Sequence, residues 1–123
     1  MKIFNYLLTW LLAAALLFFG LNGFFQFMAP SDVAEAWLPF FEGIQSVQYI
    51  IPVQSGALIL VAILLLLGRA VPFALILLAP FTVNWVLLHT FLEPSTLLIP
   101  AILAAINLYL AYTKKESFKP LFK

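Results

Sequence analysis

Apolar residues in this chain run together in four long blocks separated by short polar breaks. The blocks are Ile3 to Met28, about Val47 to Leu67, Val71 to Leu92, and about Thr96 to Tyr112. Each has a length in the range of about 17 to 25 residues that a helix needs to cross a bilayer. The third is the clearest, because Arg69 and Glu93 bracket it, and at about 1.5 Å per residue it would rise roughly 33 Å. No water reaches backbone amides in hydrocarbon, so an uninterrupted apolar block must satisfy them internally as a helix. The predicted fold is all-α, an antiparallel four-helix transmembrane bundle. It forms one domain over residues 1–123, with spans at about 3–28, 47–67, 71–92 and 96–112 and a tail at 113–123.

The breaks between blocks shape this picture. Gly68, Arg69 and Ala70 are all that joins the second block to the third, and Glu93, Pro94 and Ser95 join the third to the fourth. Connections this short make consecutive helices antiparallel neighbours. The stretch from Ala29 to Ser46 is longer. Asp32 with Glu35 reads as an N-cap and its third-position carboxylate, and Val33, Trp37, Phe40 and Phe41 recur on one side, predicting a short external helix at headgroup level that Pro39 interrupts. Pro72 and Pro100 sit in first turns, where a missing N–H costs nothing, but Pro80 lies deep in the third span. It removes the hydrogen bond to the carbonyl of Ile76, which needs a side chain or water in its place. Gly20, Gly23 and Gly56 are expected at close helix approaches.

Composition and charge extend the reading. Hydrophobic residues make up 65% of the 123 and charged residues 9%, against about 25% charged in soluble domains, so too few charges exist to coat a water-facing surface. The length leaves room for no attached soluble domain. Lys2, Arg69, Lys114, Lys115, Lys119 and Lys123 fall on one side of the four-span arrangement, and Asp32, Glu35, Glu42 and Glu93 on the other. By the positive-inside rule the basic side, with both termini, is cytoplasmic. Lys2 and the alanines at 13–15 resemble a cleaved signal, but the apolar run continues to Met28, which predicts a retained anchor. The net charge of +1 offers no nucleic acid surface, and the absence of cysteine excludes disulfides, thiolate metal sites and thiol relays.

Candidate chemistry is confined to a few polar groups inside the spans. Gln26, Gln54 and His89 come from three different helices, yet all lie within about 8 Å of the external boundary, with Asn22 slightly deeper. Two readings follow. Asn22, Gln54, Asn84, Thr82 and Asn107 serve as interhelical hydrogen bonds, of about 1 kcal/mol or less each. Alternatively, His89, Gln26, Asn22 and Gln54 line a lateral pocket for the head group of a quinone or another isoprenoid lipid, with His89 facing inward near Gln26 or Gln54. A lone histidine without cysteine or a paired carboxylate supplies too few ligands for a metal or haem. No nucleophile, base and orienting group occur together, so hydrolytic catalysis has no support.

The runs FGLNGFFQFMAP, YIIPVQSGALILVAILLLL and GRAVPFALILLAPFTVNWVLLHTFLEP together resemble the DoxX-like family of small four-helix bacterial membrane proteins. The third span carries the resemblance best, through Pro80, Asn84, His89 and the closing FLEP. It implies a helical bundle in the bacterial inner membrane, distantly similar to bundles of the vitamin K epoxide reductase type, with some relatives tied to quinone-coupled oxidation or oxidative-stress complexes. Gln54 stands about where many relatives carry glutamate, which speaks against proton-coupled chemistry. Two functions are carried forward: an accessory or structural subunit of a larger membrane assembly, partnered by another protein or by copies of itself, and a quinone- or isoprenoid-lipid-binding component of a membrane redox system.

Overall fold

The computed structural model describes residues 2–25 and 37–122, and these are helical almost throughout, with no strand among them. Helix α1 spans Lys2–Phe25, α2 Leu38–Ser46, α3 Ile50–Leu67, α4 Val71–Leu92, α5 Leu98–Thr113 and α6 Lys115–Phe118. Three of them, α1, α3 and α4, are long and apolar enough to cross a membrane. The expected fourth span is shorter than predicted. A 3-10 turn takes Pro94–Thr96, so α5 has 16 residues and rises about 24 Å, less than the roughly 30 Å of a hydrocarbon core.

Glycine chemistry sets the turn between α3 and α4. Gly68 adopts the left-handed conformation at φ 69°, its N–H donates to the Leu65 carbonyl at 3.2 Å, and that of Arg69 to the Leu64 carbonyl at 3.1 Å. This paired pattern closes a helix and satisfies its last carbonyls. Ala70 follows at φ 51°, a left-handed position that costs a Cβ-bearing residue about 1 kcal/mol. Pro72 then enters the first turn of α4, as expected. Pro39 behaves in the same way: it lies in the first turn of α2 and starts that helix instead of interrupting it. The Asp32 and Glu35 capping pair lies outside the described residues.

Leu12, Ala13 and Leu16 of α1, Leu58, Val61, Ala62 and Leu65 of α3, Ala74, Leu75 and Leu78 of α4, and Leu103, Ile106 and Leu110 of α5 form one buried core. It occupies the half of the molecule nearer Gly68. Helix α1 packs mainly on α3 and α4 mainly on α5, while the Gly68 turn joins the two pairs. The α1–α3 contact is close. A Cβ built on Gly23 would overlap Ser55 Oγ, and one on Gly20 would stand 2.7 Å from Ile59 Cγ1. Gly56 does not share this role, because nothing lies within 4 Å of its Cβ direction and it faces outward.

The outer faces of the long helices carry many large apolar side chains, with Phe91 81%, Leu98 70% and Leu108 67% exposed. Soluble monomers rarely expose apolar patches beyond about 600 Å², so such a surface suits lipid.

Candidate functional site

The half of the molecule away from Gly68 holds few buried apolar side chains among the described residues, and the polar groups of the α4–α5 connection gather there. His89 lies in the last turn of α4, Glu93 ends that helix, and Thr96 closes the 3-10 turn. The turn brings the hydroxyl of Thr96 back to the imidazole, 2.7 Å from Nδ1. The same hydroxyl lies 2.9 Å from the Glu93 carbonyl and 3.3 Å from Glu93 Oε1. A hydroxyl has one proton, and both glutamate oxygens only accept, so every group is satisfied when Thr96 donates to Glu93 and accepts from His89 Nδ1–H. That tautomer leaves Nε2 as an acceptor.

Trp37, 56 positions away in the chain, closes the cluster. Its Nε1 donates to Glu93 Oε1 at 3.1 Å, its ring meets the His89 ring edge-on with centroids 4.8 Å apart, and it is only 8% exposed. Phe41 stacks on Trp37 at 5.7 Å and Phe40 meets it edge-on at 6.0 Å. The chain entering α2 is thereby clasped onto the end of α4 through one carboxylate and one indole. A hydrogen bond to a charged group typically contributes about 1.5 to 3 kcal/mol, so this link is among the stronger side-chain contacts at this end.

The arrangement of the other candidate residues differs from the expected pocket. Among the described residues, the contacts of the His89 ring are with Thr96 and Trp37 and with neither Gln54 nor Asn22. Gln54 is half-buried on α3, and Asn22 is half-buried on α1 beside the Gly23 contact. Gln26 lies outside the described residues. The ring that meets His89 is that of Trp37, at the start of α2, whose indole N–H is bound to Glu93.

A second polar group forms lower in α4. Thr82 Oγ1 lies 2.9 Å from Asn107 Oδ1 and 3.0 Å from the Ala79 carbonyl, and Asn107 Nδ2 donates to the Leu75 carbonyl at 3.2 Å. Thr82 and Asn107 are both 2% exposed. This interhelical network sits beside Pro80 but receives the carbonyl of Leu75, one residue before the Ile76 carbonyl that proline orphans. Ile76 and Pro80 are exposed, and Ile76 lines the same hollow between α4 and α5 as Asn107. Asn84 makes no hydrogen bond to a described residue and is exposed on the outer face of α4. Near the Gly68 end, Tyr109 donates to Asn5 Oδ1 at 2.8 Å, joining α5 to α1. Sequence reasoning passed over Asn5, Thr96 and the Trp37–Glu93 link. Thr96 carried a usable signal, three positions after Glu93 and seven after His89; the others carried none.

Chemically, the His89 cluster is a clasp. Its hydroxyl proton is used within the turn, and among the described residues no carboxylate orients the imidazole from the Nε2 side. No group of three His, Asp or Glu among the described residues is placed to hold a metal ion. The fold and this site define an all-helical protein with three helices of membrane-spanning length and a polar clasp at one end. Comparison with protein-family models, curated proteins and solved structures finds no match for the chain.

Proposed function

We propose that this chain is a DoxX-like integral protein of the bacterial inner membrane, a four-helix bundle with both termini cytoplasmic, serving as an accessory subunit of a larger membrane assembly. One observation carries the subunit role: Asn84. It is residue 14 of the 22 in α4, roughly 12 Å from the nearer end of the helix, and it stands exposed on the same stretch as the exposed Val83 and Leu87. An amide facing hydrocarbon without a partner costs several kcal/mol. A partner helix presenting a donor and an acceptor removes that cost, and a second copy of this chain supplies both through Asn84 itself. The natural solvent of this face is therefore another protein.

The test is native purification in mild detergent with Asn84→Leu beside the wild type. The variant is expected to lose the copurifying subunit, or the homo-oligomer, while its helicity and melting are unchanged. An unaltered assembly would refute the subunit role. Topology is tested by cysteine labelling with an impermeant reagent in intact cells: Ser31→Cys should react and Ser117→Cys should not.

A second reading keeps the site as a quinone or isoprenoid-lipid pocket. It is favoured by the acceptor Nε2 of His89, which has no bond to a described residue and stands beside the Trp37 ring. Under it, His89→Gln releases a copurifying quinone without unfolding the protein; under the subunit reading no such lipid is present to be lost.

A further inference from the structure

At the Gly68 end, remote from His89, a cavity of about 510 Å³ opens between α1, the end of α3 and the end of α5. Its walls divide by chemistry. Leu66 and Trp10 form an apolar side, while Lys2, Lys114, Asn5 and Tyr6 form a polar one. No Asp or Glu is among the residues lining it, and the one ion pair among the described residues, Lys119 with Glu116, does not involve either lysine of the cavity. Two ammonium groups thus share one hollow with no counter-charge from the described chain.

The remaining polar atoms point the same way. Asn5 Oδ1 already accepts from Tyr109, which fixes the carboxamide and leaves its NH₂ to donate. The Thr9 hydroxyl donates to the Asn5 carbonyl and that of Thr113 to the Leu110 carbonyl, so these wall hydroxyls have their protons committed. What is left unspent is two cations, an amide donor and the Tyr6 hydroxyl, a set that suits an oxyanion. An inorganic anion would leave the apolar wall unused. Leu66 at 48% and Trp10 at 53% exposed continue onto the outer face of the helices, where an acyl chain would lie.

We infer that this cavity binds the phosphate of an anionic phospholipid from the leaflet on the lysine side, with Lys2 and Lys114 on the phosphate and a chain along Trp10 and Leu66. Basic pockets between helices at a membrane surface take such head groups, and each lysine near the surface contributes about a factor of five. The inference rests on the membrane reading above but not on the subunit role, so the Asn84 experiment stands or falls separately.

The test is a titration of the purified full chain in detergent with phosphatidylglycerol and with phosphatidylcholine, bound lipid being counted by native mass spectrometry. Phosphatidylglycerol should bind more tightly, and the double variant Lys2→Gln, Lys114→Gln should weaken it roughly thirtyfold. Lys115→Gln with Lys119→Gln makes the same change in net charge outside the cavity and should leave affinity alone; Lys2→Arg with Lys114→Arg should retain it. Melting of each variant, followed by circular dichroism, separates lost binding from lost folding. Equal affinity for the two lipids, or equal loss in both Gln variants, would overturn the site. Displacement of the lipid by millimolar inorganic phosphate would overturn its assignment to a lipid and point to a soluble phosphate ester.

Discussion

Removing the Asn107 carboxamide should cost more than removing the Thr82 hydroxyl, although the two side chains share a hydrogen bond. Asn107 makes two interhelical bonds, to Thr82 and to the Leu75 carbonyl, whereas Thr82 has the Ala79 carbonyl of its own helix 3.0 Å away as an alternative. Interhelical bonds in membrane proteins average about 0.6 kcal/mol and reach about 1.7. Asn107→Leu keeps the side-chain volume close and deletes both bonds, predicting a loss of about 1.2 kcal/mol. Thr82→Val deletes one, predicting about 0.6 kcal/mol, and leaves Asn107 on Leu75. The double variant should be no worse than Asn107→Leu alone, because the shared bond is lost only once, giving a coupling of about 0.6 kcal/mol in the cycle. Reversible unfolding in mixed micelles, read by helical circular dichroism, measures all four proteins. Strictly additive losses, or Thr82→Val costing as much as Asn107→Leu, would refute the assignment of the network.

Three further outcomes follow from the geometry. Trp37→Phe keeps an aromatic ring over His89 but removes the donor to Glu93, so hydrogen exchange in α2 should accelerate by roughly tenfold or more while the α5 core is unaffected. Gly23→Ala places a Cβ against Ser55 and should destabilise the α1–α3 pair by about 1 to 3 kcal/mol, whereas Gly56→Ala, facing open space, should be neutral or slightly stabilising in the same unfolding assay. Ala70→Gly relieves the left-handed strain at φ 51° and should raise stability by up to about 1 kcal/mol, while Gly68→Ala at φ 69° should lower it by a similar amount.

The sequence alone determined where the helices are. Long apolar blocks can satisfy their backbone in lipid in one way, and Gly68, Pro72, Pro94 and Pro100 mark turns by chemistry that acts within a few residues. The pairing of α4 with α5 across the Glu93–Ser95 turn was legible for the same local reason, whereas α3, joined to α4 by an equally tight turn, packs mainly on α1. Which faces turn inward was not. Helices α3 and α4 are apolar on every side, so no amphipathic stripe distinguishes Ile76, which is exposed, from Leu75, which is 1% exposed, or Gly56 from Gly23. Helical period puts Asn84 about 140° around α4 from His89, but its direction, outward, was a tertiary outcome. The same holds for His89 itself. Its depth followed from counting residues, yet its neighbours depended on Trp37, which stands 56 positions before its partner Glu93, and no local propensity encodes that meeting. Tertiary packing set an indole and a threonine beside His89 and left Gln54 without a bond to it, because the sequence sets the level of each polar group along its helix while only the packed helices set its azimuth.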